Sequence, residues 1–198
     1  MDTVLSYHYR WLVHSIAFLG PQEMLEGRNC AVLVGGNTEL CAIEISETIR
    51  AMKGVGARVH LVSSSTKTVR IGEDTVRIDL DIVEARAEDF DAVIICGDYT
   101  NTDATVHLPY IKFLQDALYK DKLIAAIGKG LALIKMADLT EGEDVKSLII
   151  DAPRKRPEVH SNKHAIGELN LILAYKTVSL MDFVDKIIVA LRERYTQV

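Results

Sequence analysis

Chemistry in this 198-residue sequence can reside in a few places: three cysteines, a histidine pair and one glycine-bounded turn. The turn is Gly128-Lys129-Gly130. Leu123 to Ile127 before it is a short uncharged apolar run, as expected of a strand buried on both faces. Leu131, Ile134 and Leu139 after it allow a helix. Strand, tight turn and helix have the form of a nucleophile elbow, which holds a catalytic side chain on a strained turn. Here the elbow position is Gly128, which has no side chain to attack a carbonyl. Glycine does suit the backbone, because it adopts φ > 0 without penalty.

The other candidates each carry two readings. Cys96 ends an apolar strand near the same crevice, as a displaced nucleophile or as inert packing. Cys41 sits a turn into the first sheet-packing helix, where a core position fits, and Cys30 starts a central strand. Lys129 either binds an anion with the N–H groups of the helix start or is solvated. Lys129 and Asp98 could also pair across the crevice and occupy it. His160 and His164 have i, i+4 spacing, but Pro157 precedes them and no third ligand follows, so neither metal nor cofactor is expected. Arg154-Lys155-Arg156 reads as a solvated cluster. Asp79, Asp81, Glu84, Glu88 and Asp89 lack calcium-loop spacing and read as a polar face.

The elements that position these residues alternate. Residues 3–19 have helical apolar spacing through Val4, Leu5, Trp11, Leu12, Ile16 and Leu19, and a short helical piece follows over 22–26. Strands are expected over 30–34, 58–62, 92–96, 123–127, 145–150 and 169–174. Helices are expected over 39–53, 109–120, after 130, and over 178–195, with Pro109 in the first turn of the second. Residues 68–83 alternate like a hairpin outside the main sheet. The stretches 99–106, 140–144 and 151–167 read as loops. Apolar strands alternating with amphipathic helices imply a parallel sheet covered on both faces. Ligands in such folds bind beyond the carboxyl ends of the strands, where strand order reverses. The turns 35–39, 96–99 and 128–130 should converge there.

Composition narrows the function classes. Lys plus Arg number 23 against 28 Asp plus Glu, a net charge of −5, which argues against nucleic acid as a partner. Unpaired cysteine usage fits a reducing cytoplasm. No apolar run reaches the roughly 18 residues needed to span a bilayer, and no signal peptide is read at the start.

Taken together, Gly35-Gly36-Asn37-Thr38-Glu39-Leu40, the hairpin before Phe90-Asp91-Ala92-Val93-Ile94-Ile95, Leu123-Ile-Ala-Ala-Ile-Gly-Lys-Gly, and Gly167-Glu-Leu-Asn-Leu-Ile-Leu resemble the ThiJ/PfpI (DJ-1/PfpI) family of the class I glutamine amidotransferase-like superfamily. Two of these segments resemble "YDVVVLPGG" and "LIAAICxG". The resemblance implies an α/β, flavodoxin-like three-layer sandwich with a mostly parallel sheet, a β-hairpin insertion and an N-terminal helical extension over 1–28. The family-like domain would then cover 29–198. It implies that Glu39 takes the place of the acid that hydrogen-bonds the reactive thiolate. Gly97 and Asp98 take the oxyanion turn, Asp98 replacing a glycine. Gly128 takes the nucleophile position and Lys129 that of an optional histidine. Asp98 would set a negative charge near a developing oxyanion, opposing its stabilisation. Glu39 also has a structural explanation, a carboxylate favouring the helix macrodipole.

The expected function is therefore a divergent member, a pseudoenzyme without the family's Cys-dependent chemistry. It would bind a small ligand or a protein partner at a site lined by Glu39, Gly97, Asp98, Gly128 and Lys129. The alternative is an intracellular amidase/protease-like or aldehyde-processing (glyoxalase/deglycase-type) enzyme with an atypical nucleophile such as Cys96. A homodimer is expected from the resemblance.

Overall fold

The computed structural model describes residues 24–35, 38–64, 67–101, 104–139, 147–150, 170–175 and 179–196. The expected N-terminal helix, the acidic turn over 140–144, the loop over 151–167 and the His160/His164 pair fall outside these. The strands are β1 (Asn29–Leu33), β2 (Arg58–Ser63), β3 (Thr68–Ile71), β4 (Asp74–Arg77), β5 (Leu80–Asp81), β6 (Ala92–Ile95), β7 (Leu123–Ile127), β8 (Ser147–Ile150) and β9 (Leu171–Ala174). The helices are α1 (Ala42–Gly54), α2 (Ala104–Tyr119), α3 (Leu131–Met136) and α4 (Leu180–Thr196).

Seven strands form one sheet in the order β5-β2-β1-β6-β7-β9-β8, every neighbouring pair parallel. The period-2 side-chain alternation of a strand divides each central run between two cores. Cys30, Val32, Ile94, Leu123, Ala125 and Ile127 join α1 and α4, packing with Ile45, Met52, Phe183 and Ile187. Ala31, Leu33, Val93, Ile95, Ile124 and Ala126 join α2 and α3, packing with Tyr110, Phe113, Leu114 and Leu133. Burial on both faces explains why these strands read as unbroken apolar runs.

Two expectations are corrected. The stretch 68–83 is not wholly a separate hairpin: β3 and β4 pair antiparallel on their own, while Leu80–Asp81 adds a short parallel edge strand beside β2. Helix α2 starts at Ala104, five residues before Pro109, so this proline lies inside the helix. A proline there forfeits a single N–H bond and strains the preceding turn. The buried stripe of Tyr110, Leu114 and Ala117 holds the helix to the sheet regardless.

The chain changes direction in the sheet between β1 and β6: β2 lies to one side of β1, and β6 and β7 lie to the other. Beyond the carboxyl ends of these two strands, Gly35 and Gly97 bring their backbones together. A Cβ on Gly97 would stand 2.7 Å from Gly35 N and 2.8 Å from Gly35 O. A Cβ on Gly130 would stand 2.7 Å from the Ile95 carbonyl oxygen. Gly97→Ala and Gly130→Ala should each lower stability by about 1–3 kcal/mol in urea unfolding, because only backbone could give way. Gly54→Ala meets nothing within 4 Å and should raise it by about 0.4–1 kcal/mol. An unchanged midpoint for both crowded glycines would contradict the packing described.

Candidate functional site at the elbow

The three turns expected to converge do so. Asp98 N–H donates to the Gly35 carbonyl at 3.0 Å, linking the first and second. Lys129 Nζ donates to Asp98 Oδ2 at 2.8 Å, linking the second and third. The ion pair foreseen across the crevice is thus formed.

The elbow itself is intact in backbone. Strand β7 runs to Ile127, residues Gly128–Gly130 form a single 3-10 turn, and α3 follows. Gly128 has φ +58°, the left-handed region that costs an L-residue roughly 1–2 kcal/mol. The space an elbow side chain would enter faces a carboxylate: a Cβ on Gly128 would stand 2.8 Å from Glu44 Oε1.

Glu44, and not the Glu39 expected from the resemblance, is the carboxylate nearest that Cβ position. Residues Thr38–Cys41 form a 3-10 turn, and the α-helix proper begins at Ala42. Glu39 is exposed on the 3-10 turn, whereas Glu44, in the first turn of α1, is buried at 5% exposure. The sequence carried a signal for this. Cys41, Ile45, Thr48 and Met52 form the buried stripe of the helix, and Glu44 is the carboxylate set among them.

The thiols differ in place but not in character. Cys96 is fully buried on the α1 side, its Sγ 3.6 Å from Thr48 Oγ1, and burial pushes its thiol up to about 12. Cys30 is likewise pushed up to about 12 by burial and then by the Asp91 charge. Cys41 stands beside the site. Burial first, then the charge of Glu44 and a hydrogen bond to it, push its thiol up to about 11. All three are therefore protonated at neutral pH, the unreactive form.

The remaining charges are paired. Burial acts to raise the Asp98 carboxyl, but hydrogen bonds from Lys129 and from the Thr100 hydroxyl and N–H hold it below its usual value. Lys129 is raised, chiefly by its bond to Asp98. No group of three or more metal-ligating side chains occurs among the described residues. No helix among them is long and apolar enough to cross a membrane.

Comparison with known proteins agrees with this geometry. The DJ-1/PfpI family model matches residues 28–190. Among solved structures, a ThiJ/PfpI domain protein from Brachyspira murdochii superposes with TM-score 0.64 at 20% identity, covering 85% of this chain and 98% of that one. DJ-1 from Toxoplasma gondii, in an oxidized form, gives 0.60 at 22%, covering 86% and 95%. A two-domain protein from Anabaena variabilis with DJ-1/ThiJ/PfpI-like and ferritin-like domains gives 0.64 at 22%, covering 83% of this chain and 50% of that one. A search of curated proteins found no match. With a family match over residues 28–190, around a sheet that ends in a Gly128 elbow facing Glu44, this chain belongs to the DJ-1/PfpI family.

Proposed function

We propose that this protein is a family member without elbow-thiol catalysis, and that it binds a small ligand or a protein partner at the altered site. The observation that carries this reading is Gly128 at φ +58° with the Glu44 carboxylate 2.8 Å from its Cβ position. The turn that aims a nucleophile is kept, and no nucleophile stands on it. Two further features support the reading. The Asp98 N–H, at the oxyanion turn, is already bonded to Gly35, so it is not free to receive an oxyanion. The Asp98 carboxylate opposes one electrostatically.

Glu44, Gly97, Asp98, Gly128 and Lys129 are the ligand-facing residues of this proposal, with Glu39 at its exposed rim. A ligand would enter by competing with Asp98 for Lys129, or with Lys129 for Asp98. Free, buried thiols fit a reducing cytoplasmic setting. We place residues 1–28 outside the family domain and expect a homodimer, following the resemblance.

Turnover of small aldehydes and amides should not exceed the buffer rate, and alkylation of all three thiols at pH 7.5 should be slower than that of free cysteine. Turnover that is lost in Cys96→Ala would instead establish the alternative, an enzyme with a displaced nucleophile. Gly128→Cys alone should stay inactive, because its side chain meets Glu44. The Gly128→Cys, Asp98→Gly double variant removes the opposing charge as well, and a gain of activity there would show that the scaffold is otherwise competent.

The ion pair has its own signature. Asp98 is held low in the folded state, so its contribution to stability is present above the usual carboxylate range of about 4 and is lost as pH falls through its depressed value. In Lys129→Met the Asp98 carboxyl should titrate at higher pH than in the parent, read by carboxyl carbon NMR. An unchanged titration would show that the bond to Lys129 is not maintained in solution.

For assembly, sedimentation equilibrium should return twice the 22.0 kDa chain mass, and the single-chain mass would contradict the dimer.

A further inference from the structure

The start of α1 carries an exposed apolar face. Leu40, on the 3-10 turn, is 64% exposed, and Ile43, in the first turn of α1, is 68% exposed. The 3-10 turn runs directly into the helix, so residues three apart lie on one side of it. Val106 and Leu108 on α2 are exposed as well, but two residues apart on a helix they point to different sides and form no joint patch. Farther along α1 the outward residues are polar: Ser46 is exposed, and Glu47 and Arg50 are ion-paired. The apolar face is thus confined to Leu40 and Ile43, beside Glu39 at the rim of the crevice. Single exposed apolar side chains need no explanation, whereas neighbouring large ones mark a contact surface.

The chain itself supplies a segment that fits. Residues 3–19 lie outside the described residues, and their sequence is apolar at helical spacing. Leu5, Leu12 and Leu19 recur every seven residues, with Ile16 on the same stripe and Trp11 at its border. A helix of this length is marginal alone in water and gains its stability from a surface to lie on. Its point of departure is fixed. Met24 and Leu25 pack on the core shared by α1 and α4. The Leu25 N–H donates to the Val55 carbonyl at 2.9 Å, so the chain joins the domain at the C-terminal end of α1. Helix α1 has 13 residues, about 20 Å at about 1.5 Å per residue, and residues 3–19 as a helix would reach about 25 Å. Leu5 and Leu19 are separated by as many residues as Leu40 and Gly54. A helix ending at Gly20-Pro21 and laid beside α1, with Leu19 at Gly54, therefore brings Leu5 level with Leu40.

We propose that the Leu40–Ile43 face is the docking surface for residues 3–19 of the same chain, held at Leu5 and its apolar neighbours. The tether decides between this segment and a second copy. Joined to the domain at Leu25, the segment meets the face as an intramolecular partner, at an effective concentration that a separate molecule does not reach. Its apolar stripe and the apolar pair then leave water together, which is the driving force for docking. The docked segment borders the crevice rim at Glu39. The contact goes beyond the elbow reading: it uses neither Gly128 nor Glu44, and its failure would leave that reading in place.

Trp11 is the single tryptophan of the chain, so its fluorescence reports the contact in the whole protein. It should be shielded from acrylamide relative to N-acetyltryptophanamide. Leu40→Lys combined with Ile43→Lys puts two charges on the face, and because both side chains are exposed the core is untouched. Docking should weaken by about tenfold or more, since each replaced side chain forfeits its burial, and quenching should rise toward that of the free indole. Val106→Lys combined with Leu108→Lys, on α2, should leave quenching at the parent level. A second measurement does not depend on the lysine variants. Leu5→Cys combined with Leu40→Cys, oxidised with copper phenanthroline, should give a disulfide between positions 5 and 40 in a product of single-chain mass. The proposal is overturned by parent quenching equal to that of the free indole, by unchanged quenching in the Leu40, Ile43 variant, or by an equal rise in the α2 variant. It is overturned equally by failure of the disulfide to form. A disulfide found only in a product of twice the chain mass would make a second copy the occupant and also overturn it.

Discussion

The backbone contact between Gly35 and Gly97 is the constraint on which the rest of the molecule's functional end depends. Two parallel strands, β1 and β6, finish side by side, and the chain leaves them toward opposite faces of the sheet. The Asp98 N–H closes on the Gly35 carbonyl at 3.0 Å, and a Cβ on Gly97 would fall 2.7 Å from the facing nitrogen. Only glycine permits that approach. It fixes where Asp98 points, hence where Lys129 can be held. It also fixes where the Tyr99 ring lies, hence the aromatic cluster on α2. The elbow follows the same logic one strand over, with Gly130 seated against the Ile95 carbonyl.

Charge at the site is organised around a buried carboxylate. Glu44 sits at 5% exposure in the first turn of α1, where the helix N-terminus favours negative charge. Asp98 brings a second carboxylate, and the Lys129 ammonium lies against it. The Cys41 thiol hydrogen-bonds Glu44 and is raised to about 11, so it serves as a proton donor to the carboxylate. A thiolate in its place would be opposed by the charges of Glu44 and Asp98.

Much of this was legible in the sequence, and the failures have physical causes. The strands at 92–95 and 123–127 were legible because burial on both faces leaves no polar residue to blur the run. The Asp98–Lys129 pair was legible because both residues sit in turns that parallel topology must bring together. Glu44 was not legible as the elbow-facing carboxylate because the 3-10 turn at Thr38–Cys41 delays the α-helix, and nothing in local composition announces a 3-10 start. Only the stripe of Cys41, Ile45, Thr48 and Met52 reveals that the later glutamate points inward. The start of α2 was misplaced because proline marks a first turn by propensity. The apolar stripe of α2 overrode that propensity, as tertiary packing commonly does. The Tyr99–His107 ring contact was not legible, because seven residues separate the two and the contact exists only once α2 docks.

How the polar groups at the elbow are satisfied bears on what a molecule entering there would gain. The Lys129 ammonium, the Asp98 carboxylate and the Cys41 thiol hold hydrogen bonds within the fold, so any newcomer must replace bonds already made. Displacing a made bond returns only the difference between old and new. The Lys129 side chain is the exposed member of the ion pair and Asp98 the buried one, so the pair opens most readily from the lysine end.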